Sequence, residues 1–434
     1  MLEKLRRNIF WMLDTYKGSK VKAHMEEISY ILENINSEEV TVKRKSALDE
    51  LLQHAVNNTK FYSPYKYYNE LSDFPIITKM DIRENYKDFI VNDPKFKPEF
   101  EISTSGTTGV PFSVCQDLNK KNRNTADTLY FAEKGGFEIG DRLYYIRFWS
   151  KQTSRSAFAQ FVTNIKQIHV FDLSASFLKS LIARMNKDAS RKALLGYSSA
   201  LSELVRYMKA NEKPPLKNPF KSIITMAEGI SNKQREELQS YLGAPVISRY
   251  SNSENGIFAQ QIIGGGKDYH INWASYEVEV LDLNENVPAK PGEVGRIVIT
   301  DLFNYCMPII RYDTGDLGIL SKENTHFNRA PTLRSIEGRR MDVIYNTKGE
   351  ALSPYVAYEM EYFPELKQFQ LIQEEKNKYT VKVNLDGVFE SEEAATKRLM
   401  AQLGKDAIIN FEYVDEFPQL ASGKRRLAVN NYKN

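Results

Sequence analysis

The sequence predicts an α/β protein: a large N-terminal body of several subdomains, combining α/β sheets with a β-rich part, followed by a small α+β C-terminal domain. Three observations carry this expectation. From Glu101 onward, short β-like runs alternate with helical stretches, the pattern of strands joined by helices. Tyr276 to Leu283 and Gly295 to Thr300 are strand-like runs with only a turn-rich stretch, Asn284 to Gly292, between them. After Gly338 the alternation restarts on a smaller scale. At 434 residues, the chain is longer than one hydrophobic core usually serves, so two or three folding units are expected.

The elements follow in order. Leu2, Leu5, Ile9 and Leu13 recur at helical spacing, so the N-terminus reads as a helix whose apolar stripe packs on the body. Its run Ile9 to Leu13 is too short for a signal-peptide core or a membrane span. Lying on a membrane surface is the lesser reading of that stripe. Ile28, Ile31, Leu32 and Ile35, then Leu48, Leu51, Leu52 and Ala55, extend the helical pattern toward Tyr86. The alternation proper comprises Leu143 to Phe148, Phe177 to Met185, Leu201 to Ala210, Ser222 to Met226, Gln234 to Leu242 and Val246 to Tyr250. Pro214, Pro215 and Pro219 mark a loop within it. In the C-terminal part, Tyr355 to Phe363 and Ser391 to Leu403 read as helices, the latter with Ser391 as N-cap. Phe369 to Gln373, Tyr379 to Leu385 and Ile408 to Val414 read as strands.

Composition narrows the function. Hydrophobic residues at 42% and charged residues at 26% describe a folded globular chain. A net charge of +3 from 59 basic and 56 acidic residues lacks the concentrated positive field that nucleic acid requires, so no nucleic-acid partner is expected. Two cysteines, Cys115 and Cys306, cannot build a disulfide framework or a cysteine-based zinc site, and a reducing, cytoplasmic setting is expected.

Five segments carry chemistry. Ser103-Thr104-Ser105-Gly106-Thr107-Thr108-Gly109-Val110-Pro111 follows a β-like run. Its glycines let backbone amides approach an anion and its hydroxyls donate further bonds, as gripping a phosphate requires. No Gly-Lys-Ser/Thr ending makes it a Walker loop. Arg249-Tyr250-Ser251-Asn252-Ser253-Glu254-Asn255-Gly256 offers a flat ring and a hard oxygen ligand. Arg311-Tyr312-Asp313-Thr314-Gly315-Asp316 offers a two-oxygen acceptor after a turn. Gly338-Arg339-Arg340-Met341-Asp342 and Phe417-Pro418-Gln419-Leu420-Ala421-Ser422-Gly423-Lys424 complete the set. Each segment alone is an ordinary turn or surface loop; their order is what distinguishes them.

In that order the five segments resemble the motifs of the adenylate-forming superfamily of acyl-CoA synthetases, luciferases and peptide-synthetase adenylation domains. Phe74-Pro75-Ile76-Ile77-Thr78-Lys79, Ala227-Glu228-Gly229, His270 and Met307-Pro308-Ile309-Ile310 extend the resemblance, over nearly the whole chain, to the phenylacetate-CoA ligase-like group. That group includes capsule-biosynthesis proteins and enzymes that adenylylate a deazaflavin coenzyme. The resemblance implies a large domain over 1–338 and a small mobile domain over 339–434 that carries the catalytic lysine, Lys424. It implies ATP or AMP contacts from Ser103, Ser105, Gly106, Thr107, Thr108, Gly109, Ala227, Glu228, Gly229, Tyr250, Ser251, Ser253, Asp316 and Arg339. Tyr250 would stack on adenine, Glu254 would help hold Mg2+, Asp316 would accept the ribose hydroxyls, and Arg339 would reach the nucleotide. The acyl pocket would lie near Tyr197 and Ser198, with His270 touching the pocket or the acceptor.

The sequence departs from the family pattern at three places. Val110 stands where lysine is common, Asp313 where arginine is common with Arg311 close by, and either Met341 or Asp342 takes the acidic hinge position. The implied activity is ATP-dependent activation of a carboxylic acid, aryl or similar, as acyl-AMP. The product would then pass to a thiol, either CoA or a carrier-protein phosphopantetheine arm. The alternative is an adenylyltransferase that places AMP on a hydroxyl or phosphate acceptor. No stable membrane insertion is expected, and monomer and homodimer both stay open.

Overall fold

Helical periodicity in the first quarter becomes three helices, α1 (Leu2–Tyr16), α2 (Lys20–Glu33) and α3 (Glu38–Asn58). The computed structural model describes residues 2–104, 112–150, 153–321, 330–339, 344–352, 354–363, 365–385, 387–415, 417 and 427–432. Ile28 and Ile31 of α2 and Leu51, Leu52 and Ala55 of α3 are buried, as their spacing predicts. Ser37 caps α3, its hydroxyl accepting from the Val40 amide at 3.2 Å, with Glu38 and Glu39 in the first turn. Helix α1 corrects an expectation: its stripe of Leu2, Leu5, Ile9 and Leu13 faces outward. Polar anchors on the other side cause this. Arg7 pairs with Glu138, and the buried Asp14 carboxylate accepts from the Val21 and Lys22 amides at 3.0 Å each.

Two short helices, α4 (Lys79–Glu84) and α5 (Tyr86–Phe89), lead to the antiparallel pair β1 (Phe100–Thr104) and β2 (Phe112–Gln116). Helix α6 (Leu118–Lys134) follows, and sequence periodicity missed it. Its buried face includes Lys120, Arg123 and Asp127 beside Tyr130 and Phe131, which hides the apolar stripe. The two cations are compensated: Lys120 pairs with Asp301 at 2.6 Å, and Arg123 with Glu27 at 2.6 Å, while Asp127 accepts from the Ser275 hydroxyl at 2.7 Å.

The predicted alternation is then realised as β3 (Arg142–Arg147), α7 (Ala157–Thr163), β4 (Ile165–His169), α8 (Ala175–Lys187), β5 (Lys192–Tyr197), α9 (Ser198–Ala210), β6 (Ser222–Met226), α10 (Asn232–Leu242) and β7 (Val246–Asn252). Strands β4, β3, β5, β6 and β7 lie side by side and parallel. Strands β5 and β6 are buried throughout, as strands covered on both faces must be. Leu194, Ile146, Ile223, Leu201, Leu204 and Met185 form the centre of this core.

Beyond β7 the pairing turns antiparallel through β8 (Gly256–Gln260) and β9 (Tyr269–Ile271). Strands β10 (Tyr276–Leu281), β11 (Val294–Asp301), β12 (Tyr312–Leu320) and β13 (Thr332–Arg339) complete an eleven-stranded sheet of order β10-β11-β12-β13-β9-β8-β7-β6-β5-β3-β4.

The remaining chain forms the ladder of β14 (Ile344–Tyr345) and β15 (Ala351–Leu352), and a four-stranded sheet. That sheet has the order β18-β17-β16-β19, from β16 (Leu366–Glu375), β17 (Lys378–Leu385), β18 (Ile408–Tyr413) and β19 (Ala428–Asn430). Helix α11 (Glu392–Leu403) places Leu399 and Leu403 in the same core as Leu371, Tyr379 and Val381. Both predicted helices are present. Pro354–Tyr362 is a 3-10 helix, and Ser391 stands at the N-cap of α11, although its hydroxyl goes to Glu365 at 2.7 Å and to no amide of the first turn. The chain divides into two compact units, Met1–Thr314 with Gly318–Ser335, and Gly315–Leu317 with Ile336–Asn434. Among the described residues, no helix is long and apolar enough to cross a membrane.

Candidate active site

Strands β7 and β8 are joined by a tight turn that carries Ser253, Glu254 and Asn255. The Asn252 side-chain oxygen accepts from the Asn255 amide at 2.8 Å, and Tyr276 donates to the Asn255 carbonyl at 2.6 Å. Gly256 has φ 129°, and a Cβ there would stand 2.8 Å from both the Tyr276 hydroxyl and the Asn124 side-chain oxygen. Only glycine fits that position. The turn is therefore fixed from three sides, and Glu254 is fixed with it.

The Glu254 side chain is only 3% exposed, yet it keeps its carboxylate in contact with charge. Lys79 at the start of α4 reaches Oε1 at 3.0 Å, Tyr312 donates to the same oxygen at 3.2 Å, and Gln116 donates to the Glu254 carbonyl at 2.8 Å. A buried carboxylate needs such partners, because desolvation alone would expel its charge.

Lys79 arrives there because the preceding segment is tied to β12. Ile77 bridges to Tyr312, its amide donating to the Arg311 carbonyl at 3.0 Å and its carbonyl accepting from Asp313 at 2.8 Å. The Arg311 guanidinium forks onto Glu279 at 2.9 and 3.1 Å and donates to the carbonyls of Ser72 and Phe74. Arg311 is thus committed to the scaffold and does not stand in for an arginine at Asp313, which itself pairs with Arg296 at 3.3 Å.

Tyr250, at the end of β7, donates to the Thr314 hydroxyl at 3.1 Å, and Thr314 donates to the Ile297 carbonyl at 2.9 Å. The fold thereby joins the Tyr250–Glu254 segment to Tyr312 and Thr314. Asp316 follows two residues later on β12, half-buried, after Gly315 with φ 75°.

At the carboxyl ends of the parallel strands, Tyr197 of β5 stands opposite Met226 of β6. Open parallel sheets bind ligands at such ends. Ser198 donates to the Glu228 carbonyl at 3.0 Å, and the Glu228 carboxylate accepts from the Ser199 amide at 2.9 Å, a favourable place at a helix N-terminus. Ala227 adopts φ 69°, which costs a non-glycine residue strain and turns this loop sharply. The segments 197–199 and 227–229 are therefore one structure. Burial raises the pKa of the Tyr197 phenol, so it stays a neutral hydrogen-bonding group.

Other predicted residues lie apart or outside the described set. Ser103 shares a hydrogen bond of 2.7 Å with Ser113 across β1 and β2. His270 pairs with Gln260 at the far end of β8, about 13 Å along the strand from the Glu254 turn. It lines a cavity of about 40 Å³ with Leu32, Tyr130, Phe131 and Trp273, where burial lowers its pKa. Ser105 to Gly109, Met341, Asp342, Lys424 and the Arg339 side chain lie outside the described residues. Among the described residues, no cluster of three or more His, Cys, Asp or Glu side chains could hold a metal by itself. Sequence reasoning passed over the direct partners of Glu254. Lys79 and Tyr312 both stood inside motif segments, but nothing in their spacing linked them to the glutamate.

The family model described as the CapK C-terminal domain matches residues 344–431. Protein CapK of Staphylococcus aureus is 22% identical over 439 residues, covering 96% of this chain and 94% of that protein. Phenylacetate-coenzyme A ligase of Aromatoleum evansii is 22% identical over 333 residues, covering 72% of this chain and 73% of the ligase. The crystal structure of 2-hydroxyisobutyryl-CoA ligase in the postadenylation state superposes with a TM-score of 0.74 at 16% identity, over 92% of this chain and 91% of that one. Anthranilate CoA ligase AuaEII in complex with anthranoyl-AMP gives a TM-score of 0.58 at 14% identity, over 75% of this chain and 64% of that one. The chain is thus similar in sequence to CapK and to phenylacetate-coenzyme A ligase over most of its length, matches the CapK C-terminal domain at its C-terminal end, and has the fold of the CoA ligases.

Proposed function

We propose that this protein condenses a carboxylic acid with ATP to an acyl-AMP, releasing pyrophosphate, and then transfers the acyl group to a thiol of CoA or a phosphopantetheine arm. The observation that carries this reading is the Glu254 carboxylate, 3% exposed and held by Lys79 and Tyr312, on the same turn that follows Tyr250. One carboxylate held on a rigid, buried turn suits a magnesium ion held chiefly by nucleotide phosphates. When bound, that ion would neutralise charge on the departing pyrophosphate.

The chain's own residues would do the rest. Tyr250, fixed through its hydroxyl to Thr314, presents a ring as an adenine platform. Asp316 would accept the ribose hydroxyls, and Ser103, Ser105, Gly106, Thr107, Thr108 and Gly109 would grip the phosphates. Attack of a carboxylate oxygen on the α-phosphorus brings two anions together, so alignment and compensating charge dominate the barrier. Lys424, with Arg339 near the proposed boundary at 338/339, would supply that charge and then withdraw. The acid would rest against Tyr197 and the 227–229 loop, and an aryl or similarly flat acid is the proposed class. Two free, buried thiols, Cys115 and Cys306, support a reducing, cytoplasmic setting.

The test is exchange of labelled pyrophosphate into ATP over a panel of aryl, alkyl and amino acids, with and without CoA. Acid-dependent exchange is expected, with CoA-dependent AMP release for the same acid. Silence across the panel, with AMP transferred instead to a hydroxyl or phosphate acceptor, would replace this reading with adenylyl transfer. Lys424→Ala is expected to cut acid-dependent exchange at least a hundredfold while ATP binding persists. An unchanged exchange rate would remove Lys424 from the mechanism.

A further inference from the structure

Helix α1 is amphipathic, and it wears its apolar side outward. Leu2, Leu5, Met12 and Leu13 are 59%, 52%, 70% and 54% exposed, with Ile9 and Tyr16 on the same face. The short helix α7 continues that face with Phe158 and Phe161, 77% and 67% exposed. Arg6 joins the two, donating to the Phe161 carbonyl at 3.2 Å with its guanidinium 5.5 Å from the Phe161 ring centre. Scattered apolar side chains on a surface are ordinary; a contiguous two-helix face is not.

The two stretches that build this face are net basic, although Arg7 is spent on Glu138. Residues 2–20 contain five basic and two acidic side chains, and residues 153–166 contain two basic and none acidic. These stretches thus hold a net +5, whereas the whole chain holds +3. Of the two acids, Asp14 is buried, its carboxylate spent on the amides of Val21 and Lys22. Lys4, Lys17 and Lys20 are left on the exposed rim.

We infer that the outward face of α1 and α7 docks the protein peripherally on an anionic lipid bilayer. Leucine, methionine and aromatic side chains would enter the boundary between headgroups and acyl chains, and the basic rim would meet lipid phosphates, as in-plane amphipathic helices do. A second copy of this chain fits less well, because a two-fold pairing of the same face sets basic rim against basic rim. This docking does not depend on the acid-activating chemistry proposed above.

The experiment is flotation of the purified protein with vesicles of phosphatidylglycerol and phosphatidylcholine, and with vesicles of phosphatidylcholine alone. The anionic vesicles should carry the protein, with binding about tenfold weaker on the neutral ones and again in 0.5 M salt. The triple variant Leu5→Glu, Ile9→Glu, Leu13→Glu should lose at least tenfold of the binding with its circular dichroism unchanged, since these side chains already face solvent. Phe158→Glu with Phe161→Glu gives a second, independent readout on α7. Absence of binding to anionic vesicles, or binding that neither variant weakens, would overturn the inference. So would concentration-dependent self-association abolished by the same variants, which would make the face a protein interface.

Discussion

Glu254 is held by groups of unequal kind, and their removal should separate their roles. Tyr312 offers one neutral hydrogen bond to Oε1, worth roughly 1 kcal/mol in a buried setting. Tyr312→Phe should therefore slow pyrophosphate exchange about fivefold, whereas Glu254→Gln, which removes the charge, should cost at least a hundredfold. Equal effects of the two variants would mean that the tyrosine acts on more than the carboxylate. Lys79 is different because it places a cation where the nucleotide's metal is proposed to sit. Lys79→Ala should lower the magnesium concentration for half-maximal exchange severalfold, since an ammonium no longer competes for Oε1. A magnesium titration that superposes on the unsubstituted protein would show that the two cations never contend. Tyr250 and Glu254 were singled out in the sequence because their segment resembles a family motif, and a ring and a carboxylate suit the roles that the resemblance implies. Lys79 and Tyr312 were not, because they meet Glu254 only after the 72–79 segment is bonded to β12 through Arg311 and Ile77.

The β7–β8 turn is the element on which the candidate site depends, and Gly256 is its tightest point. An added Cβ would take on a φ of 129° and approach both the Tyr276 hydroxyl and the Asn124 side chain at 2.8 Å. Tyr276 is itself braced by Lys120, whose ammonium lies 3.1 Å from its hydroxyl and 2.6 Å from Asp301. That network has no slack to give, so Gly256→Ala should destabilise the larger unit by about 2 kcal/mol and slow exchange beyond what the stability loss explains. A thermal midpoint within one degree of the unsubstituted protein would refute it. Elements differed in how readable they were for a physical reason. Strands β5 and β6 are continuous apolar runs and α8 and α9 are amphipathic, so their patterns survive in the sequence. Helix α6 buries lysine, arginine and aspartate, and α1 turns its apolar stripe outward. In both, tertiary charge pairing overrides the rule that apolar faces go inside.

At the scale of the whole molecule, motif order made the architecture legible, while the ties between distant segments were not. Glu138 is the plainest of these ties. It receives Arg191 at 2.5 Å, Lys221 at 3.0 Å and Arg7 of α1, so one carboxylate joins the outward-facing helix to the loops preceding β5 and β6. Lys221, then Arg191, with Arg7 also contributing, hold its pKa down at about 2. A carboxyl whose folded value is depressed binds fewer protons than in the unfolded chain, so the folded state gains at neutral pH. That gain is fully present above the unfolded value of about 4.3 and is lost as pH falls through about 2. The side chain is 34% exposed, so after solvent screening the contribution is about 1 kcal/mol. Glu138→Gln should therefore lower the stability of the larger unit by about that amount from pH 8 down to about 5, and by clearly less at pH 3. Urea unfolding of both proteins at each pH measures the gap. A gap that widens toward acid would mean that Glu138 is protonated more readily in the fold than out of it, contrary to the three cations around it.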